Sequence, residues 1–550
     1  MSFSNEPFFQ RLVTFANGPP RVIISDDISG IRVTYRQLIS GVLRFRQLLQ
    51  QRLPQTALDS NKMLREPIGI GILAPASVEF VVAFLAVLSL GGIIVPLSTA
   101  ESAEATWDRI AKSKAACVVY SPQQAELMWF IRRRAILTND QEIQSIAISA
   151  HAGNIPTDLQ FTTDQPTHFP STRTALLLFT SGTMGPPKGV LHSRQFFNAD
   201  VDPIGTEADA LLFTRAAGYI GSIRLMVNML LRGIRIELWP YLVDADMIWE
   251  RLRQGGITVL HLLPTIWRKL MLVYRDKLSM LPSIEREEYC AGVRQLREAT
   301  AGGQVMLQEV KTFWQDMLGG RCVTIIYGGT EMGISPFKAL GEDSLMEPWV
   351  EPLHDLTCVY RYLDNPKATC NAFDDEGFFR TGDIVRYNGS VYEIEGRVEC
   401  DCEYSEKFPS LFLGCLQANP PCACIVIPTF GGRVSAPKIN KALLELPQVA
   451  EGHIFAVPDP KYVNHIAALV RLQADAIDFQ NRGTLSLAAL RRDLAHSLTE
   501  HELPTLLRLV GDGEEIPQGV SGKLMYQKAR EQFFPPDSVA LPEVEAWVMV

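Results

Sequence analysis

A chain of 550 residues is long enough for about three to four folding units, with large buried cores and a cleft between domains. The hydrophobic share of 47% and the charged share of 21% are ordinary for a globular protein, and they exclude a disordered, collagen-like or simple coiled-coil chain. The net charge of −9 comes without a long basic run, so no nucleic acid partner is expected.

The N-terminal segment and the cysteine content indicate the compartment. Ten cysteines in 550 residues are too sparse for a secreted disulfide scaffold, and residues 1–22 lack a basic segment followed by an apolar core. The segment also lacks the arginine-rich, acid-poor composition of a mitochondrial targeting sequence. We therefore expect a cytoplasmic protein, with a mitochondrial or peroxisomal location less favoured.

Apolar, strand-like runs alternate with helix-length amphipathic stretches through the first half of the chain. The strand-like runs cover 68–74, 116–121 and 257–264, and the helix-like stretches that follow them cover 77–90, 123–135 and 265–278. This alternation predicts an α/β fold with parallel sheets covered by helices.

The uncharged run of residues 80–98 approaches the length of a membrane span, but Gly91, Gly92 and Pro96 interrupt it. We expect instead a buried helix that ends at the glycine pair and a short strand, IIVPL, after it. No stable membrane span is predicted.

The most informative stretch is ALLLFTSGTMGPPKGV, from Ala175 to Val190. A buried-type strand runs directly into hydroxyl groups, glycines and a lysine, which together suit phosphate groups: glycines let backbone N–H groups approach closely, and Lys188 supplies positive charge. The lysine is followed by Gly189 and not by Ser or Thr, so the stretch is a poor match to a Walker A loop. An ordinary Gly/Ser/Thr turn is the alternative interpretation.

The same stretch resembles the phosphate-loop signature of the adenylate-forming superfamily, which includes acyl-CoA synthetases, peptide-synthetase adenylation domains and luciferases. The resemblance implies that this loop binds the phosphates of ATP. The residues that it assigns to this role are Thr180, Ser181, Gly182, Thr183, Gly185 and Lys188.

A second stretch, IIYGGTEMG, resembles another signature of that superfamily. The resemblance implies that Tyr327, next to Gly328, stacks on adenine, that Thr330 approaches the α-phosphate and that Glu331 binds Mg²⁺. A hard cation held by carboxylate and phosphate oxygens is chemically reasonable. Taken alone, the stretch could equally be a glycine-rich turn with a solvated glutamate. The resemblance also places Gly302 and Gly303 on the nucleotide side.

Further motifs extend the resemblance toward the C-terminus. GFFRTGDIVRYNG contains Asp383, which would accept both ribose hydroxyls, and Arg397 in EGRVE would lie beside it. The motif around SGK implies that Lys523 enters the active site as the adenylation lysine. Gly431 and Gly432 would line the path of the thiol. Isolated lysines and Gly-Asp pairs are more often ordinary surface features, and the order of the motifs along the chain favours the functional interpretation.

The resemblance covers nearly the whole chain, and it predicts a large multi-subdomain N-terminal domain with mixed and parallel sheets covered by helices, plus a smaller α+β C-terminal lid. We expect the N-terminal AMP-binding domain at 1–397, an atypical cysteine-rich hinge insertion at 398–430 and the lid at 431–550. Five cysteines fall in the insertion, but their spacing is a weak match to a zinc site.

The chain looks closest to malonyl-CoA synthetase-like and related acyl-CoA synthetases, on the segments LLPTIWRKLM, YGGTEMG and YLDNPKATCNAF. The resemblance implies a ligase that uses ATP, Mg²⁺ and CoA: a small carboxylic acid attacks ATP to give acyl-AMP and pyrophosphate, and a thiol then displaces AMP. Arg224 lies in an otherwise apolar segment and is a candidate for binding a second carboxylate, because a buried arginine needs an anion. An internal ion pair or a surface arginine is the alternative.

Four departures from the superfamily pattern keep other functions open. Met184 replaces a second threonine, the segment from Leu211 to Met226 lacks a histidine, the region after Glu331 is short, and the hinge is about 25 residues longer. A nucleotide-binding homologue with impaired catalysis, or an enzyme that loads a carrier-protein thiol, therefore remains possible. The departures suit specialised secondary metabolism, while the acid and the oligomeric state stay open.

Overall fold

The computed structural model describes 2–26, 30–137, 143–148, 160–165, 168–180, 188–197, 205–239, 244–303, 306–332, 338–339, 361–373, 379, 383–387, 392–397, 426–429, 432–459, 463–473, 485–511, 513–519 and 524–547. These residues divide into two compact units, one ending at residue 379 and the other starting at residue 383. The domain limits expected from the sequence, at 397 and 431, stay predictions.

The first unit contains 17 described strands. They are β1 (Ser2–Ser4), β2 (Val22–Asp26), β3 (Ile31–Thr34), β4 (Gly69–Leu73), β5 (Ile93–Leu97), β6 (Cys117–Tyr120), β7 (Gln144–Ala147), β8 (Thr162–Gln165), β9 (Thr174–Phe179), β10 (Gly189–Ser193), β11 (Ala210–Phe213), β12 (Arg235–Leu238), β13 (Val259–Leu262), β14 (Glu298–Gly302), β15 (Thr324–Ile326), β16 (Lys338–Ala339) and β17 (Arg361–Tyr362).

Eleven described α-helices accompany these strands. They are α1 (Pro7–Asn17), α2 (Tyr35–Arg52), α3 (Val78–Leu90), α4 (Ala103–Ser113), α5 (Ala125–Leu137), α6 (Ile220–Arg232), α7 (Ala245–Arg253), α8 (Pro264–Asp276), α9 (Ser283–Arg294), α10 (Gln308–Met317) and α11 (Pro366–Asn371).

Two large sheets organise the first unit. The seven-stranded sheet has the order β17-β10-β9-β5-β4-β6-β7, and the eight-stranded sheet has the order β16-β15-β14-β13-β11-β12-β2-β3. Most neighbouring strands pair in parallel, whereas β10 runs antiparallel to both β9 and β17, and the edge strands β16 and β3 run antiparallel to β15 and β2. The predicted α/β fold with parallel sheets and covering helices is confirmed.

Helix α3 lies inside the core that both sheets share. Every residue of α3 except Glu79 is buried, and the surrounding cluster includes side chains of β4, β5 and β9 from one sheet and of β11 and β12 from the other. Ser77 caps its first turn by accepting from the Phe80 N–H at 3.3 Å, and Gly91 ends it with φ +86°. The apolar run that approaches membrane-spanning length is therefore a core helix followed by β5. Among the described helices, none is both long and apolar enough to cross a bilayer.

The second unit is smaller and of mixed α and β structure, as expected. Its described elements are β18 (Asp383–Tyr387), β19 (Tyr392–Arg397), β20 (Val426–Thr429), β21 (Gly432–Ser435), α12 (Ala436–Leu444), β22 (Val449–Asp459), β23 (Val463–Leu472), α13 (Leu487–Leu494), β24 (Leu506–Leu509), α14 (Tyr526–Phe533) and β25 (Val544–Ala546). Strands β22 to β25 form a four-stranded sheet in sequence order, and two separate hairpins pair β18 with β19 and β20 with β21.

Candidate active site

The β9–β10 hairpin brings together the two described ends of the predicted phosphate loop. The Thr180 N–H donates to the Lys188 carbonyl at 2.9 Å, and the Lys188 N–H donates to Thr180 Oγ1 at 3.0 Å. Because the Thr180 hydroxyl accepts here, its own O–H can still act as a donor. Four other predicted phosphate ligands lie outside the described residues: Ser181, Gly182, Thr183 and Gly185.

Gly189 allows strand β17 to approach this hairpin. The Leu363 N–H donates to the Gly189 carbonyl at 2.8 Å. A Cβ at position 189 would lie 3.0 Å from Leu363 Cβ and 3.1 Å from Leu177 Cδ1, closer than side chains normally pack. The absent side chain thus lets β17 pair with β10 through Val190 and Tyr362.

Tyr362 contacts two of the predicted site residues at once. The Lys188 Nζ lies 5.6 Å from the centroid of the Tyr362 ring, and the Tyr362 O–H donates to Glu331 Oε1 at 3.0 Å. Lys188 and Glu331 are far apart in sequence, but in the structure both contact Tyr362. Sequence reasoning missed Tyr362 as a site residue, although it lies in the segment YLDNPKATCNAF that carried the resemblance.

The carboxyl ends of two parallel strands carry the residues expected to hold the nucleoside. Strands β14 and β15 pair in parallel with Gly302 opposite Ile326, so Gly303 and Tyr327 both follow at the same edge of the sheet. A Cβ on Gly302 would lie 2.8 Å from the Ile326 carbonyl oxygen, and Gly303 has a φ of +84°. Both positions therefore favour glycine. Ligands of open α/β sheets bind at this edge of the strands.

The turn after β15 presents Thr330 and Glu331. The Met332 N–H donates to the Gly329 carbonyl at 3.2 Å, which closes the turn around the two predicted catalytic residues. Gly328 precedes this turn directly after Tyr327. The second carboxylate oxygen of Glu331 lies against Gly329, since a Cβ placed there would be 3.6 Å from Glu331 Oε2.

His192, on β10, is a buried group that sequence reasoning did not single out. Burial lowers the pKa of His192 to about 4, and a hydrogen bond with the Thr330 backbone opposes that shift. The ring is therefore neutral at pH 7. It links the strand that follows the phosphate loop to the turn that carries Thr330 and Glu331.

A second buried histidine lies on β13. The His261 Nδ1 is 2.6 Å from Thr300 Oγ1 on the adjacent strand. Burial lowers the pKa of His261 to about 3, and the positive charge of Arg215 lowers it further. The segment from Leu211 to Met226 contains no histidine. Its Arg215 is the charged residue that lowers the pKa of His261.

Arg224, the candidate ligand for a second carboxylate, is half-buried on α6. Its Nη1 donates to the Phe196 carbonyl at 2.5 Å, and its guanidinium lies 5.3 Å from the centroid of the Phe196 ring. These contacts anchor the side chain against the segment that follows β10. They are contacts with a backbone carbonyl and an aromatic ring, and the predicted role of Arg224 toward substrate stays a prediction.

The remaining predicted site residues belong to the second unit. Asp383 and Arg397 are opposite each other in the β18–β19 hairpin, and Gly432 begins β21. Gly431 and Lys523 lie outside the described residues. The described residues that flank Lys523 pair with each other, because Gln518 forms an antiparallel bridge with Leu524.

Comparison with known proteins identifies the family. Residues 13–350, which are more than half of the chain, match the family described as AMP-binding enzyme. The chain belongs to this family. The predicted resemblance to the adenylate-forming superfamily is thereby confirmed.

Relatives and solved structures agree with this assignment over almost the full length. An acyl-CoA ligase of Aspergillus oryzae is 29% identical over 96% of this chain and 93% of that protein. A mitochondrial malonate–CoA ligase of Bos taurus is 24% identical over 92% of this chain and 87% of that protein. The crystal structure of ATP-bound MatB from Rhodopseudomonas palustris shares the fold with a TM-score of 0.68, at 17% identity, over 96% of this chain and 99% of that one.

The donor set of this AMP-binding enzyme fits a magnesium ion bound together with ATP. Glu331 offers a half-buried carboxylate, and no group of three or more metal-binding side chains is present in the part of the chain that the structure describes. Mg²⁺ in nucleotide enzymes is bound by one or two carboxylates plus substrate phosphates and water, and not by an all-protein cage. The Glu331 carboxylate, oriented by the Tyr362 O–H, satisfies that requirement.

Proposed function

We propose that this AMP-binding enzyme is an ATP-dependent acyl-CoA synthetase, an acid–thiol ligase that forms AMP. It converts a carboxylate, ATP and CoA into acyl-CoA, AMP and pyrophosphate. The observation that supports this proposal best is the contact of both Lys188 and Glu331 with Tyr362. It brings a cation and a carboxylate together beside the β9–β10 hairpin. The names of the relatives support the second, CoA-dependent step.

In the first step a carboxylate oxygen of the acid attacks the α-phosphorus of ATP, and the bond from that phosphorus to the bridging oxygen breaks to release pyrophosphate. Catalysis of this kind depends mainly on positioning and on fixed charges. Lys188 is proposed to neutralise the phosphates, the Thr180 hydroxyl to orient them, and Thr330 to approach the α-phosphate. Glu331 would hold Mg²⁺, which would offset the charge of the leaving pyrophosphate, and Lys523 is proposed as the adenylation lysine.

In the second step the thiol of CoA loses its proton to solvent and its sulfur attacks the acyl carbon. The bond between that carbon and the phosphate oxygen breaks, and AMP leaves with the electron pair. Gly431 and Gly432 are proposed to line the approach of the thiol. Asp383 and Arg397, which are cross-strand partners, are proposed to hold the ribose of the nucleotide.

The substrate is proposed to be a short, di- or tricarboxylic acid of secondary metabolism, with Arg224 as the residue that selects the additional carboxylate. We place the reaction in the cytoplasm.

The deciding experiment is carboxylate-dependent exchange of labelled pyrophosphate into ATP, over a panel of mono-, di- and tricarboxylic acids. Lys523→Ala should lower the exchange rate by at least about 100-fold, because positioning of reacting groups accounts for several powers of ten in rate. Lys528→Ala is the matched control, since Lys528 is exposed on α14, and should exchange at the wild-type rate.

The alternatives give different results in the same assay. A homologue with impaired catalysis would bind ATP but show no exchange with any acid of the panel. An enzyme that loads a carrier protein would show exchange, yet transfer the acyl group to a phosphopantetheinyl carrier and not to free CoA.

A further inference from the structure

Two groups of opposite charge contact Tyr362 in different ways. The Lys188 ammonium contacts the face of the ring, at 5.6 Å from its centroid, whereas the Glu331 carboxylate accepts from the phenolic O–H at 3.0 Å. Within the described residues, Lys188 and Glu331 form no ion pair with each other. Each charged group therefore contacts a different part of the same side chain, the cation the ring and the anion the phenolic O–H.

The backbone of Tyr362 is fixed from two sides. It pairs with Val190 in the β10–β17 ladder, and its N–H donates to Thr369 Oγ1 on α11 at 2.9 Å. The Thr369 hydroxyl in turn donates at 3.0 Å to the carbonyl of Asn365, the residue that caps α11. The backbone of Tyr362 is therefore held by strand β10 and by the capped helix α11. Its ring cannot easily follow a movement of Lys188 or Glu331.

A fixed phenol next to a carboxylate matters for metal binding. A carboxylate that is held in one orientation by a hydrogen bond binds a metal ion more tightly than one that rotates freely, and loss of such a partner typically costs about 10- to 100-fold in metal affinity or activity. A direct ion pair between Lys188 and Glu331 would instead occupy both groups, and ATP would have to break it before binding.

We propose that Tyr362 is a positioning residue that orients the Glu331 carboxylate for the metal ion of the nucleotide and keeps Lys188 from pairing with it. This inference rests on the proposed function, in which Lys188 and Glu331 bind the phosphates and the metal. It assigns a role to a residue of the YLDNPKATCNAF segment that neither the motifs nor the family match identifies.

The test measures metal binding without catalysis. The full chain is titrated with Mn²⁺ in the presence of ATP and in the absence of a carboxylic acid, and free Mn²⁺ is followed by electron paramagnetic resonance. ATP binding with the metal chelated by EDTA is measured separately by calorimetry. Tyr362→Phe retains the ring and removes only the O–H.

We expect Tyr362→Phe to weaken Mn²⁺ binding in the presence of ATP by about tenfold and to leave ATP binding in EDTA unchanged, because the ring still supports Lys188. Tyr362→Leu, which removes the ring as well, should also weaken ATP binding in EDTA. A Tyr362→Phe protein that binds Mn²⁺ as tightly as the wild type would overturn the proposal.

The chain offers a matched control with the same local geometry. The Tyr289 O–H donates to Glu250 Oε2 at 3.3 Å, and the Arg253 guanidinium lies 5.6 Å from the centroid of its ring. Tyr289 lies on α9, outside the proposed site. Tyr289→Phe should leave Mn²⁺ and ATP binding unchanged, and an equal loss in both variants would show that the effect is a general one of removing a phenol.

A double-mutant cycle keeps the inference separate from the proposed function and from a folding defect. In a Glu331→Gln background, Tyr362→Phe should cause no further loss of Mn²⁺ affinity, because the carboxylate through which it acts is gone. Additive losses would contradict the proposal even if the single variant were less stable. A wild-type chain that binds Mn²⁺ no better with ATP than without it would instead contradict the proposed function itself.

Discussion

Thr180 and Lys188 form two hydrogen bonds with each other, one in each direction, and thereby join the two strands at the ends of the predicted phosphate loop. The contact involves the backbone of both residues and only one side-chain atom, Thr180 Oγ1. It therefore leaves the Lys188 ammonium free to extend toward the Tyr362 ring. The position of this cation depends on how closely β17 can approach the hairpin.

Gly189→Ala should disturb that approach. The new methyl group would lie 3.0 Å from Leu363 Cβ, so β17 must move away or the side chains must shift. Overpacking of this kind costs about 1–3 kcal/mol of unfolding free energy. We expect a lower melting temperature and a weaker affinity for ATP, measured by calorimetry. Gly41→Ala in α2, where the nearest atom would be 3.4 Å away, should change neither property adversely.

Because burial lowers the pKa of His192, the free energy of unfolding should depend on pH. The native state binds a proton on His192 only near pH 4, whereas the unfolded chain binds it near pH 6.5, so acidification through this range favours unfolding. One such group accounts for about 3 kcal/mol between these limits. His192→Gln should therefore show a weaker fall in the free energy of unfolding between pH 7 and pH 4, measured by urea titration.

The control for this prediction is the exposed His496, whose replacement by Gln should leave the pH dependence as it is in the wild type. The buried His261 remains in both variants, and its pKa of about 3 means that part of the acid sensitivity persists after His192 is replaced. An unchanged slope in His192→Gln would show that this histidine is accessible to protons in the native state.

Breaking the buried ion pair between Glu6 and Arg194 should cause a large loss of unfolding free energy. Arg194 is 3% exposed and donates to both Glu6 carboxylate oxygens, at 2.6 and 2.5 Å. Glu6→Gln leaves a buried guanidinium without its counter-charge, which typically costs about 3–5 kcal/mol. Glu104→Gln removes an exposed partner of Arg134 and should cost less than about 1 kcal/mol. Urea unfolding of the two variants compares these costs directly.

Local patterns in the sequence were sufficient to predict most of the regular elements. The helix expected at 77–90 is α3 (Val78–Leu90), and the strand expected at 68–74 is β4 (Gly69–Leu73). Capping residues and apolar periodicity act over a few residues, so they can be recognised without knowledge of the fold. The strand IIVPL, β5, was predicted for the same reason.

Contacts between distant segments could not be predicted in this way. Tyr362 joins the site because β17 pairs with a strand about 170 residues earlier in the chain, and His192 becomes a buried neutral group only when β10 packs under the Thr330 turn. Neither residue belongs to a motif with an obvious chemical role. The cysteine-rich stretch at 398–425 lies outside the described residues, so its weak zinc pattern stays untested.

The proposed role of Arg224 can be tested by comparing dicarboxylic and monocarboxylic substrates. If Arg224 binds the additional carboxylate, Arg224→Ala should raise the KM for a dicarboxylic acid by about tenfold or more, since a hydrogen bond to a charged group contributes about 1.5–3 kcal/mol. The KM for a monocarboxylic acid of equal chain length should not change. An equal effect on both acids would indicate that Arg224 only supports the Phe196 segment that it contacts.

The pairing of Asp383 with Arg397 in the β18–β19 hairpin leads to a prediction about the nucleotide. A carboxylate that accepts both ribose hydroxyls should distinguish ATP from 2′-deoxy-ATP, and Asp383→Asn should lose that distinction because the charged acceptor is gone. We expect the KM for ATP to rise about 10- to 100-fold and that for 2′-deoxy-ATP to rise less. Asp364→Asn, at an exposed aspartate of the first unit, is the control and should retain the wild-type preference. Equal losses with both nucleotides would indicate that Asp383 supports the stability of the hairpin and does not bind the ribose.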